Sequence, residues 1–339
     1  MSSFKFVCAL GITPRDLRMI LRNLQETGET RNPFENVLIT PLFTNPGTLR
    51  LIRELKEQGI VKSVYFDSGG YQIQKGNINY YSLYNRLLDF YIRNRWADYY
   101  VLPDVPPVSL DSPEEVRAKV RLTVEGTRRF FWELPSELQR KVICVVQGRD
   151  LDQIHYCLLN YERMGIRQIG FGSFATRGVD SSINILDEVS INNLIFMQRR
   201  YPFFKIHAFG VGNPPTAYVL RRVGISSFDS SGWIKAAGYG NIYFPFTRAY
   251  NVSFRRIERG DGALNQERFL ILKELTNHEC PFCRDFYKLS RNRDYRLIHN
   301  VLCMVDTVNS IDNHHQADHI ISDWSPTYSK FLPKIKGAV

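Results

Sequence analysis

Apolar residues arrive along this chain in short, dense runs separated by amphipathic and polar stretches. Eight runs stand out: Phe4–Gly11, Asn36–Phe43, Val61–Ser68, Ala97–Asp104, Lys141–Gly148, Gln168–Phe174, Lys205–Gly212 and Ile225–Ser231. Most are nearly continuous rather than alternating, as in parallel strands covered on both faces. Helix starts between them are written in one recurring way. Thr13-Pro14, Asn45-Pro46, Ser112-Pro113 and Asn213-Pro214 each set a capping side chain before a proline at the first helical position. Ser112-Pro113-Glu114-Glu115 adds the glutamate of a capping box, and Val116 to Trp132 then spaces its apolar residues at helical intervals. Strand, capped helix, strand, repeated eight times, predicts an α/β fold of the (β/α)8 TIM-barrel type; a doubly wound open sheet is the alternative.

From Tyr239 onward the alternation stops, and cysteines and histidines gather. The expected organisation is a barrel core over 1–238, followed over 239–339 by a small zinc-binding subdomain whose helices and tail pack on the barrel. The tail from Ser325 to Val339 reads as irregular. Cys280-x2-Cys283 with flanking histidines has the spacing of a zinc site. Cys8, Cys144 and Cys157 sit in apolar runs and read as buried free thiols. No apolar run approaches the ~18 residues of a membrane span, and MSSFKFVCALG lacks the core of a secretory signal; the expectation is a reducing, cytoplasmic location with no membrane contact. With 44 Lys and Arg against 34 Asp and Glu, the formal charge of +10 favours an acidic partner, of which nucleic acid is the commonest.

In a barrel, reactive groups sit at the carboxyl ends of strands. Those ends carry Asp67-Ser68-Gly69-Gly70-Tyr71-Gln72, Pro103-Asp104, Gln147-Gly148, Gly170-Phe171-Gly172, Phe209-Gly210-Val211-Gly212 and Asp229-Ser230-Ser231. One aspartate at such a place is ordinarily a helix cap or a turn; three on one rim, with a carboxamide, point to chemistry. The glycines let backbone N–H groups approach a flat ligand, and Tyr71 and Phe209 are placed to sandwich an aromatic ring, though either alone reads equally as rim packing. Paired carboxylates with aromatics and no phosphate loop suggest glycosyl chemistry, on a glycoside or a nucleoside. A zinc hydrolase would need metal ligands spread over the strand ends, where only His207 lies.

The Asp67–Gln72 motif, Val146-Gln147-Gly148, Gly210-Val211-Gly212, Phe228-Asp229 and the Cys/His region together resemble, in order from about Val61 to Asn300, the tRNA-guanine transglycosylase superfamily. The resemblance implies an enzyme, a pentosyltransferase, that exchanges guanine in a nucleic acid for a free 7-deazaguanine base by double displacement. Asp229 would attack C1′ and Asp67 would be the general acid/base. Ser68, Gly69, Gly70, Asp104, Gln147, Gly210 and the backbone of Gly170, Phe171 and Gly172 would surround the base, with Tyr71 and Phe209 stacking on it. His278, Cys280, Cys283 and His299 would hold a structural zinc ion, His278 standing where the family has a first cysteine; no organic cofactor is implied. A non-catalytic partner subunit of such an enzyme would lack a carboxylate, and both are present.

The chain also departs from the tRNA enzymes. Asp229 is followed by Ser230-Ser231-Gly232-Trp233-Ile234-Lys235 in place of an arginine-bearing stretch that reads the anticodon loop. These departures resemble the DNA-directed branch of the superfamily, so DNA is favoured over tRNA, with Trp233 as a stacking contact and Lys235 as a phosphate contact. A homodimer partner or accessory modification proteins are further expectations from the same resemblance.

Overall fold

The computed structural model describes residues 4–108, 110–177, 183–260 and 262–337. Eight parallel strands close into a barrel: β1 (Lys5–Ala9), β2 (Asn36–Ile39), β3 (Ser63–Phe66), β4 (Tyr99–Val101), β5 (Val142–Val146), β6 (Gln168–Phe171), β9 (Lys205–Ala208) and β10 (Ser227–Ser230). The intervening β7 (Ala175–Arg177) and β8 (Ile183–Ile185) form an antiparallel hairpin inserted after β6. Closure is made by β1 against β10, in register from Lys5 opposite Ser227 to Cys8 opposite Ser230. The fold is the (β/α)8 barrel that the alternation predicts, and the open sheet is excluded.

The predicted caps hold. Thr13, Asn45, Ser112 and Asn213 each accept a backbone N–H of the helix they precede, and Thr13 and Ser112 complete capping boxes. Side chains alternate across each strand, so one set packs outward against the helices and the other fills the barrel. The inner set is small: Val7, Ala9, Leu38, Tyr65, Val101, Ile143 and Val145 are buried there, with Tyr99 and Phe209 beside them. This short apolar plug is the floor on which the polar strand ends stand.

After helix Gly232–Gly238 come β11 (Asn241–Ile242) and β12 (Tyr250–Asn251), an antiparallel pair, and then helices only. Asn300, buried in helix Arg293–Ser310, joins this region to the barrel. Its Oδ1 accepts Tyr243 N–H at 2.9 Å, and its Nδ2 donates to Asn241 O at 3.0 Å and Trp233 O at 3.3 Å. The tail corrects the sequence reading. Pro326–Ser329 and Leu332–Lys336 are short helices, the second burying Leu332 and Ile335 one helical turn apart. Among the described residues no helix is long and apolar enough to cross a membrane.

Candidate active site and metal centre

The strand ends enclose a cavity of about 290 Å³ over the plug. Its walls include Thr40, Asp67 to Gln72, Asp104, Gln147, Gly172, Phe209, Gly210, Asp229 and Lys235. Of the predicted substrate residues, Gly170 and Phe171 stand apart from it. Phe171 faces outward, fully buried against Phe174, with ring centroids 4.9 Å apart. Gly170 faces inward but is covered by Phe209: a Cβ on it would lie 1.9 Å from Phe209 Cε2. Gly170 thus seats the ring rather than a ligand. Trp233 is corrected outright. It is fully buried beneath helix Arg293–Ser310, which removes it from any nucleic-acid contact. Directly after Gly232, four residues past Asp229, packing demand outweighs the exposure that a recognition residue needs. Lys235, exposed on the same helix, does reach the cavity mouth.

The Gly69-Gly70 pair has two separate causes. Gly69 takes φ +83°, a left-handed turn that lets its N–H point back at Asp67 Oδ2, 3.3 Å away. Gly70 packs against Asp104, whose Oδ1 would lie 2.6 Å from an added Cβ. Tyr71 stands half-exposed at the rim, with Lys75 Nζ 4.9 Å from its ring centre.

Three carboxylates meet here in different settings. Asp104 is buried and holds one donor on each oxygen, with acceptor capacity to spare: Ser68 Oγ donates to Oδ1 at 2.9 Å and Gln147 Nε2 to Oδ2 at 2.6 Å. Gln147 is oriented in turn by the Ser173 hydroxyl, which donates to its Oε1 while accepting Gly148 N–H at 2.8 Å. Burial pushes the Asp104 carboxyl up to about 6, against the pull of those donors. Asp67 receives Thr40 Oγ1 at 2.8 Å on Oδ2. Burial in the cavity wall raises it to about 7, offset in part by Thr40 and reinforced by the charges of Asp229 and Asp104. Asp229 accepts Gly210 N–H at 2.8 Å on Oδ1, and His207 Nε2 lies 3.2 Å from the same oxygen. Thr40 and His207 are site residues that the sequence reading did not assign. Thr40 is an unremarkable strand end, and only the inward pointing of residue 207 in β9 signals its role.

The second site lies in the C-terminal region. The ligand atoms of His278, Cys280, Cys283 and His299 all fall within 4.8 Å of one another, and all four residues are buried. Outer partners fix which ring nitrogens face inward. Asp306 Oδ2 lies 2.6 Å from His278 Nδ1, and Tyr243 O lies 2.9 Å from His299 Nε2, so His278 Nε2 and His299 Nδ1 face each other at 3.3 Å. Two imidazoles with carboxylate and carbonyl backing, plus two thiols, are a closed donor set able to hold a metal ion. Cys303, one helical turn after His299, brings its sulfur to 3.3 Å from His278 Nε2 and donates to Tyr243 O at 3.2 Å, packing the edge of the cluster. Arg31, from the connection between helix Pro14–Glu26 and β2, donates to Asp306 Oδ2 at 2.6 Å and to Glu279 O at 2.8 Å.

No protein-family model matches the chain, and no curated protein matches it in sequence.

Proposed function

We propose that this barrel exchanges a guanine base in nucleic acid for a free 7-deazaguanine, with Asp229 as nucleophile and Asp67 as general acid/base. The observation that carries the reading is the facing of Asp67 and Asp229 into one cavity, with Asp67 raised to about 7 and Asp229 Oδ1 held by Gly210 N–H beside the His207 ring. Asp229 Oδ2 bonds to C1′ as the C1′–N9 bond breaks, and the departing guanine takes the proton of Asp67. An incoming base then returns a proton to Asp67, its N9 bonds to C1′, and the Asp229 carboxylate leaves with its electron pair. Asp104 and Gln147 contribute an acceptor and a donor at the base edge, and Tyr71 and Phe209 contribute rings at its faces. The target nucleotide must leave its stack to enter, as in other enzymes that work on a base.

DNA is the proposed polymer, because the segment after Asp229 carries no arginine and turns straight into a short packed helix, with Lys235 as the phosphate contact. The four clustered donors are proposed to hold zinc, whose tetrahedral preference suits a two-nitrogen, two-sulfur set. Bound there, the ion supplies a cross-link and no reaction step.

Labelled guanine supplied with duplex DNA or with bulk tRNA tests the reading: label is expected in the DNA, label in tRNA alone would reassign the polymer, and label in neither would refute the exchange. The pH profile follows from Asp67. Its proton is needed for guanine to leave, and its carboxylate is needed for the new base to enter. Exchange is therefore expected to peak near pH 7, falling below as the carboxylate is lost and above as the acid is lost. A rate that keeps rising to pH 9 would remove Asp67 from the role.

A further inference from the structure

His207 has no place in the sequence-derived site, yet it contacts the same Asp229 oxygen that Gly210 N–H holds. It is an inward residue of β9, paired in register with Ser227 of β10. Ser227 and Asp229 are two apart on the same strand and so point to the same side. One imidazole spans both: Nδ1 lies 2.9 Å from Ser227 Oγ and Nε2 lies 3.2 Å from Asp229 Oδ1. The ring is clamped between Tyr65, stacked at 5.6 Å, and the edge of Phe209 at 4.6 Å. His207 is buried and does not line the upper cavity; it borders instead a small hollow of about 60 Å³ at the opposite end of the barrel. It therefore touches Asp229 from behind without touching what the cavity binds.

The contacts select one tautomer. An unprotonated Nε2 would set its lone pair against a carboxylate oxygen, whereas Ser227 can donate as well as accept. Nε2–H therefore donates to Asp229, and Nδ1 accepts from Ser227.

We propose that His207 is the positioning residue of the nucleophile, acting on the second displacement more than on the first; this rests on the reading of Asp229 as nucleophile. Its N–H and that of Gly210 both hold Oδ1, which leaves Oδ2 to form the bond to C1′. In the ester Oδ1 is a carbonyl oxygen carrying little charge. When the incoming N9 bonds to C1′ and the C1′–Oδ2 bond breaks, the electron pair returns to the carboxylate and Oδ1 regains its share. Donors fixed on Oδ1 stabilise that returning charge, so they speed discharge of the adduct.

The experiment forms the adduct on guanine-containing duplex DNA, with bulk tRNA in parallel, chases it with excess free guanine and follows its loss after denaturation. H207F keeps a ring against Tyr65 but removes both nitrogens. H207Q restores a donor near Nε2, and H207N restores only the contact to Ser227. Discharge is expected to slow about 10- to 100-fold in H207F and H207N, with H207Q close to wild type and guanine affinity unchanged, the range following from loss of one preorganised donor. Equal slowing of adduct formation and discharge, without rescue by H207Q, would reduce His207 to packing and overturn the proposal. If H207F does not fold, H207Q and H207N decide between them, and equal discharge rates in the pair refute it. A wild-type chain that forms no adduct overturns the nucleophile reading and this one with it; normal discharge in folded H207F overturns this one alone.

Discussion

Asp229→Asn is expected to abolish both the covalent nucleic-acid adduct and base exchange, while leaving the fold as stable as before or more so. The amide keeps an oxygen for Gly210 N–H and nearly the same volume, so packing is preserved. What is lost is the nucleophile, and removal of such a group costs about four orders of magnitude or more in turnover. The stability half of the prediction comes from the neighbouring charge. Asp229 is one of the groups that raise Asp67, so a neutral side chain at 229 relieves a repulsion that the native fold tolerates, a common relation between active sites and stability. Denaturation gels for the adduct and a thermal melt for the fold measure the two halves. Exchange at the wild-type rate by the asparagine variant would defeat the whole reading.

Removing the metal should have the other large effect. Metal analysis is expected to find about one zinc per chain, and chelation to lower the melting temperature by more than ~10 °C. Structural zinc contributes several kcal/mol or more to folding, and a domain of this size shifts by roughly 2–4 °C per kcal/mol. The loss should spread beyond the Cys/His region, because Asn300, next to His299, holds Trp233 and Asn241 and with them the helix that follows Asp229. Cys280→Ser should reproduce the effect without a chelator. A metal-free chain melting at the same temperature would show that the four donors stabilise the fold without an ion.

What the sequence disclosed follows the reach of local signals. Continuous apolar runs and proline-backed caps are written within a few residues, and they located all eight barrel strands. The runs overshoot at their carboxyl ends: Ala97–Asp104 contains a ladder of only Tyr99–Val101. The surplus is the site itself, where the chain leaves the sheet to present Asp104 or Asp67. The hairpin of β7 and β8 was invisible because its strands are three residues each, too short for a periodic pattern to register. His207 and Thr40 were missed because their roles depend on which residue stands on the neighbouring strand, information that register supplies and composition does not. Trp233 was misread for a related reason: an aromatic beside a nucleophile is equally a ligand contact or a packing residue until helix Arg293–Ser310 is laid over it.

The grip of Arg31 on Glu279 and Asp306 bears on how such a chain is made. During synthesis β1 and its loop emerge long before β10 or the residues that clasp Arg31 exist. The opening strand must wait with one edge bare, and unpaired edges in partly made proteins invite association with other chains. The earliest segment is thus among the last to be secured, and slow translation of the distal third would lengthen the interval in which the nascent protein is most exposed to aggregation.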